Sequence, residues 1–203
     1  AIGRRFGLSD LLLGLTIVGF GTSAPELVVS SSAALEGRGD IIAANLTVTD
    51  SRRERIAFSV PLTTVRQQVL VASGRTDIQG PQGLAGRRVM ADPNSSFWES
   101  LQRLRKKHPT IELIPRPADT SDEDELDAVA SGRVDASVRD SNVATMYLSY
   151  RDDLEVAFEL PGTDDIAWGV RRESQQLRAA LNRFLHLELA AQPEVVTATG
   201  DLD

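Results

Sequence analysis

The amino-acid sequence predicts an α/β fold, and three observations carry that reading. Beyond Asp40, short runs of β-branched and large apolar residues alternate with charged stretches whose apolar residues recur at helical spacing. Gly, Pro, Asn and Asp punctuate the boundaries between these runs. The composition, 41% hydrophobic and 25% charged over 203 residues, is that of a folded chain and not of a disordered one.

Taken in order, strands are expected at Ile41–Leu46, Val65–Ala72, Arg88–Ala91, Ile111–Ile114, Val134–Val138, Leu154–Phe158 and Ile166–Val170. A hydroxyl or Asp cap at Thr49-Asp50, a short charged helix and a further strand from Ile56 are the local reading between the first two. Helices are expected at Ser96–Lys107, Asp122–Ala130, Asn142–Tyr150 and Glu173–Leu189. Phe97, Leu101 and Leu104 share one face of the first, and Leu177, Leu181, Phe184 and Leu185 one face of the last. Gly132 suits the position just past a helix end. Residues 190–203 lack periodicity and read as a flexible tail. No internal repeat is present.

Residues 1–39 differ in character. From Leu11 to Pro25 no residue is charged, and Gly, Leu, Ile and Val dominate. The run falls short of the about 20 apolar residues that a membrane span needs. It reads as an apolar helical segment, with membrane contact possible through residues 8–30. The chain opens on Ala1 and not on Met, so residues upstream of it are expected.

Charge and composition exclude several functions. The chain has 22 Lys and Arg against 29 Asp and Glu, a net charge of -7, which argues against nucleic acid as a partner. There is no cysteine, so disulfides, thiolate metal sites and cysteine nucleophiles are ruled out. Two histidines, His108 and His186, are too few and too far apart in sequence to suggest a His-rich metal site or a Ser-His-Asp arrangement. No cofactor is expected.

Four short motifs carry candidate chemistry. In Gly19-Phe20-Gly21-Thr22-Ser23-Ala24-Pro25-Glu26 a proline breaks an apolar helix and frees backbone carbonyls beside a carboxylate. Thr22, Ser23 and Glu26 then suit a hard cation. The same string also reads as a proline-started helix with an acidic first turn, and Arg4-Arg5 followed by Leu11–Phe20 as a secretory signal. Arg52, near a helix start, can grip a carboxylate with its planar fork, or belong to a solvated basic turn. The loop Asp92-Pro93-Asn94-Ser95-Ser96, between strand and helix, can seat an anion or simply cap the helix. Asp140 stands at a strand's carboxyl end, where open α/β sheets bind ligands, and can hold an ammonium or cap the next helix.

Two resemblances extend this reading. Residues 7–39, with their GTSAPEL core, resemble the first α-repeat of the sodium/calcium exchanger family. The resemblance implies that Glu26, with Thr22 and Ser23, helps ligate a transported cation. That family works with two facing repeats, and Ala43-Ala44-Asn45-Leu46 stands where its pattern continues with a Gly-Asn-rich stretch, so transport by this chain alone is not expected.

From Asp40 to about Leu189 the chain resembles the family 3 extracellular solute-binding proteins. The likeness rests on Ala44-Asn45-Leu46-Thr47-Val48-Thr49, Arg52, Phe58-Ser59, Leu84-Ala85-Gly86-Arg87, and Ser131-Gly132-Arg133-Val134-Asp135-Ala136 with Asp140. Within that family it is most similar to the regulatory domain of membrane-bound lytic murein transglycosylase F. Asn94-Ser95-Ser96-Phe97-Trp98, Arg151–Phe158 and Ile166–Arg171 carry this narrower likeness.

The resemblance implies a type 2 periplasmic-binding-protein-like fold with one complete Rossmann-like lobe and a truncated first lobe. Its layout would be residues 40–73 and 164–189 as the remnant of lobe 1 and 74–163 as lobe 2. An amino acid or peptidoglycan-derived peptide would bind between the lobes, in the periplasm or cell envelope. Arg52 would hold its carboxylate, helped by Thr47 and the backbone near Asn45. Ser95 and Ser96 would form an anion loop, and Asp140 would hold the ammonium. The family's first strand, helix and second strand have no counterpart, so affinity is expected to be weak or absent unless a partner chain completes lobe 1. Asp92 departs from the pattern of amino-acid binders, and Arg139 stands beside Asp140. No lysozyme-like Glu-Ser pattern with a following Gly-Leu-Met-Gln run occurs, and Glu99-Ser100 lies within the Phe97/Leu101 helix, so catalysis is not expected.

Overall fold

Strand β9 (Asp164–Arg171) shows how alternation builds the first sheet. Ala167 and Gly169 point to a side packed by Ile42, Leu46, Ile56 and Phe58, whereas Trp168 and Val170 point to a side packed by Leu181 and Leu185. A strand that is apolar on both faces must be central. It is: β1 (Ile41–Thr47) and β2 (Ile56–Phe58) pair with it antiparallel on either side, and β3 (Thr63–Val65) also pairs with it. Between β1 and β2 lies the one-turn helix α1 (Asp50–Arg53), capped by the Thr49 hydroxyl.

This computed structural model describes residues 40–191. The apolar segment of residues 1–39, its motif residues Thr22, Ser23 and Glu26, and residues 192–203 lie outside the described residues. The described residues form two units, 40–63 with 165–191 and 64–164. In the first, the long helix α5 (Gln175–Ala191) lays Leu181 and Leu185 on the Trp168/Val170 face. Asn182 fixes its register by accepting the Val60 N–H at 2.9 Å.

The second unit holds a five-stranded sheet in the order β6-β5-β7-β4-β8. Its strands are β4 (Gln67–Ala72), β5 (Arg88–Ala91), β6 (Glu112–Pro115), β7 (Ala136–Asp140) and β8 (Leu154–Glu159). Strand β5 runs parallel to both β6 and β7, and β4 runs antiparallel to β7 and β8. Parallel neighbours need crossovers. Helix α2 (Ser96–Lys107) joins β5 to β6, α3 (Asp122–Ala130) lies between β6 and β7, and α4 (Ser141–Leu148) follows β7. A single 3₁₀ turn, Pro81–Leu84, precedes β5.

The alternation along these strands sorts side chains into two cores. Val69, Val71, Val89, Ala91 and Val138 face α2 through Leu101. Leu70 faces α3 and α4 through Leu126, Val129, Ala144 and Tyr147. Helices on both faces explain why these strands are apolar runs. Each large side chain fully buried here stabilises the fold by about 1.5–3 kcal/mol.

The α/β expectation holds, and Arg88–Ala91, Ser96–Lys107 and Asp122–Ala130 begin and end where the sequence predicts. The expected single strand Val65–Ala72 is in fact two, divided at Arg66 because β3 joins the first sheet and β4 the second. The expected strand Val134–Val138 lies further along, at Ala136–Asp140. Val134 is buried in the α3/α4 core, but its N–H bonds the Ala128 carbonyl in the turn that ends α3.

Candidate functional site

In the second unit the chain passes from β5 outward to β6, then back past β5 to β7. The outward crossover uses α2 on one face, and the return uses α3 on the other. The winding therefore reverses between β5 and β7. In open α/β sheets ligands bind outside the carboxyl ends of the strands at such a reversal. The residues leaving those two ends are the Asp92–Ser96 loop and Asp140.

At the end of β5, the Asp92 carboxylate accepts the Asn94 N–H at 2.8 Å and turns the loop. The Ser95 hydroxyl donates to the Asp92 carbonyl at 2.7 Å and accepts the Trp98 N–H at 3.2 Å. Ser95 is thus the cap of α2, and its proton is committed to the loop. Ser96, the first residue of the helix, is buried. What this loop offers an anion is the positive end of α2.

At the end of β7, Asp140 is 4% exposed and occupies the N-cap position of α4, with no capping hydrogen bond from its side chain. Its role as a simple helix cap is therefore not realised. The preceding Arg139 turns to the opposite face, where it donates to Glu125 at 3.1 Å and to Ser137 at 2.8 Å. Burial opposes its charge, but Glu125 and Asp122 more than compensate and hold its pKa above the ordinary arginine value. The charge of Arg139 is directed at α3 and away from Asp140.

Arg116, just past β6, pairs with Asp92 at 3.0 Å, with Glu125 at 3.5 Å and with Asp122. Asp92 thus belongs to an ion-pair network that ties the β5 loop to α3. No sequence pattern singled out Arg116 or Glu125. Glu125 sits among four acidic residues at a helix start, which reads as a solvated face, yet it is 1% exposed.

In the first unit, Thr47 and Arg52 come together. The Arg52 guanidinium donates to the Thr47 carbonyl at 2.8 Å, and its backbone N–H donates to the Thr49 hydroxyl. Thr47 is buried and Asn45 is exposed. The carbonyl bond fixes one arm of the Arg52 fork.

Two concavities among the described residues hold no predicted site residue. One, of about 510 Å³, is lined by Gln102, Arg105, Lys106, Pro109 and Ile111 at the far end of α2. The other, of about 460 Å³, lies in the first unit among Arg53, Phe58, Asp165, Arg172 and Arg178. Among the described residues no group of three or more His, Cys, Asp or Glu could hold a metal ion, and no helix is long and apolar enough to cross a membrane.

Residues 30–192 match the bacterial extracellular solute-binding proteins, family 3. The chain belongs to that family. As a family 3 solute-binding chain it also carries, at residues 1–48, a match to the sodium/calcium exchanger protein family.

Its relatives include the membrane-bound lytic murein transglycosylase F of Desulfosudis oleivorans, 29% identical over 90% of this chain. That of Pseudomonas putida is 32% identical over 71% of it. The chain spans 40% and 30% of the lengths of these two relatives. Among solved structures, an ancestral arginine-binding protein bound to arginine superposes with a TM-score of 0.72 at 22% identity, covering 91% of this chain and 82% of that one. The arginine-bound form of a truncated ArgBP from T. maritima gives 0.68 at 22% identity, covering 78% and 71%. These likenesses show that the solute-binding fold is that of the amino-acid-binding proteins.

Proposed function

We propose that the chain is a non-catalytic solute-sensing domain of the cell envelope, and that its solute is an amino acid or a peptidoglycan-derived peptide. The observation that carries this reading is the reversal of winding between β5 and β7, with a buried carboxylate and a helix N-terminus at its mouth. Those two groups match the two ends of a zwitterion: Asp140 takes the ammonium, and the start of α2 at Ser95 and Ser96 attracts the carboxylate. Arg52, held beside Thr47, supplies a second carboxylate grip, with Asn45 near it on β1. In this reading the two units, residues 40–63 with 165–191 and residues 64–164, act as the two lobes of a solute-binding protein. The transglycosylase F relatives support a regulatory role beside a wall-cleaving enzyme, and with the family they support a periplasmic or envelope setting.

The test is a thermal-shift and calorimetric screen of the whole chain with the common L-amino acids and peptidoglycan stem peptides. A ligand that binds only the folded state adds about 2.7 kcal/mol at a hundredfold excess over its Kd. Asp140→Ala and Arg52→Ala should each abolish the shift while leaving a cooperative melt. A melt that no solute shifts would sink the reading.

The exchanger match favours a second reading, for residues 1–48 alone. Glu26, Thr22 and Ser23 would there ligate a cation such as Ca²⁺ when a second repeat faces them. Ca²⁺ binding that survives Glu26→Gln would exclude it.

A further inference from the structure

Gln67 opens β4 and is 3% exposed, yet neither Nε2 nor Oε1 of its side chain has a hydrogen-bond partner among the described residues. A primary amide carries two donors and a carbonyl acceptor. Native proteins pair nearly all such groups when they bury them, because leaving them unmade forfeits their hydration. The next residue shows the ordinary outcome: Gln68 lies on the other face of the strand and donates to Glu159 at 3.0 Å.

The position of Gln67 suggests what its amide is for. Gln67 lies opposite Asp140 in the antiparallel register of β4 and β7. Directly opposed residues project from the same face, with Cβ atoms about 5 Å apart. By alternation this is also the face of Val69 and Val138, which α2 covers. Helix α2 starts from the loop at the carboxyl end of β5, so buried Ser96 belongs to the same face and the same edge. A carboxylate, a primary amide and a helix N-terminus therefore converge where the winding reverses.

We propose that Gln67 is a ligand-contacting residue of this site, and that it hydrogen-bonds through both atoms of its amide to the polar end of the solute. Nε2 donates to a carboxylate or amide oxygen of the ligand. Oε1 accepts from the neighbouring ammonium or amide N–H. The chemistry recognised is an acceptor and a donor side by side, which a free α-amino acid and the first unit of a peptide both present. This inference rests on the solute-binding reading and adds to it a residue that discriminates polar from apolar solutes. A site built to satisfy a buried amide rejects ligands that leave it unpaired.

The experiment compares the whole chain with Gln67→Leu and Gln67→Met by thermal melting and calorimetry. The probes are the common L-amino acids, L-alaninamide and L-alanyl-L-alanine. A ligand-contacting amide predicts two opposite effects. Without ligand, the apolar variants melt a few degrees higher, because an unpaired buried amide has been removed. With ligand, affinity falls about tenfold or more for whichever probe binds the natural chain. The alaninamide and dipeptide arms tell an amide oxygen from a carboxylate at Nε2.

Variants that melt lower than the natural chain would show that the amide serves the fold, and would overturn the inference. So would unchanged affinity in a variant when the natural chain binds, which leaves the solute-binding reading standing. A natural chain that binds none of the probes overturns that reading, and this inference with it.

Discussion

Arg139 and Glu125 form an ion pair at 3.1 Å in which the two side chains are 3% and 1% exposed. Ser137 completes it, its hydroxyl donating to the same Glu125 oxygen at 2.5 Å while accepting from Arg139 at 2.8 Å. The pair joins the first turn of α3 to the end of β7, one residue before Asp140. Arg116 approaches the other Glu125 oxygen at 3.5 Å, which extends the same network to the β5 loop through Asp92.

Removing one partner of such a pair strands the other charge in the interior. Glu125→Ala should cost about 3–5 kcal/mol of stability. Replacing both, as Glu125→Leu with Arg139→Met, should cost far less, since neither charge is then left uncompensated. Urea unfolding of the three chains decides this; equal losses for the single and double variants would show that packing, not charge, is what the site requires.

Helix α3 starts with a reciprocal cap. The Ser121 hydroxyl accepts the Asp124 N–H at 3.1 Å, and the Asp124 carboxylate accepts the Ser121 N–H at 3.1 Å. Ser121→Ala should lower stability by about 1 kcal/mol. Ser95→Ala should cost a similar amount through α2. Melting midpoints of the two variants check this, and a Ser95→Ala chain as stable as its parent would free that hydroxyl from the capping role.

Gly83, in the 3₁₀ turn before β5, approaches the chain before it closely. A Cβ there would lie 2.8 Å from the Asp77 carbonyl oxygen and 2.9 Å from the Ile78 Cα, both backbone atoms. Gly83→Ala must therefore move the backbone next to the fully buried Ile78 and Leu84. A loss of about 1–3 kcal/mol is expected, as for other overpacked sites. Gly86→Ala meets no atom within 4 Å but holds φ at +68°, so its cost would be local strain alone.

Acid should weaken the second unit through Asp135. Its burial favours the neutral form. The Arg88 N–H at 2.8 Å and the Arg75 guanidinium at 2.8 Å outweigh that burial and hold its pKa below 3.8. A carboxyl whose folded pKa is depressed contributes its full stabilisation above the unfolded pKa. It loses that stabilisation as pH falls through the folded value. Stability measured by urea should therefore be level near neutrality and decline below about pH 4. Asp135→Asn should start lower and decline less steeply over the same range. Parallel curves for the two chains would assign the acid dependence to other carboxylates.

Much of the local structure was legible because its causes are local. Helix α2 announces itself through Ser95 as cap, apolar residues at i, i+4 and i+7, and three basic residues in its last turn. Asp140 and the Asp92–Ser96 loop stood out because strand ends followed by helix starts are visible in the residue pattern. Gln67 did not stand out. In Gln67-Gln68 two identical side chains occupy the two faces of one strand, and no local rule says which is buried. The break at Arg66 was equally hidden, since it exists only because β3 and β4 join different sheets.

The sequence by itself determined that this chain is α/β and where most of its strands and helices lie. Side-chain periodicity, capping and backbone preferences act over a few residues and need no knowledge of distant partners. The tertiary structure alone decided that Glu125, in an acidic run, lies buried on Arg139, and that Gln67 faces Asp140 with its amide unpaired among the described residues. Those facts depend on strand order and register, which are set by contacts between residues far apart in the chain, as Gln67 and Asp140 or Val60 and Asn182 are, and which no short window of sequence contains.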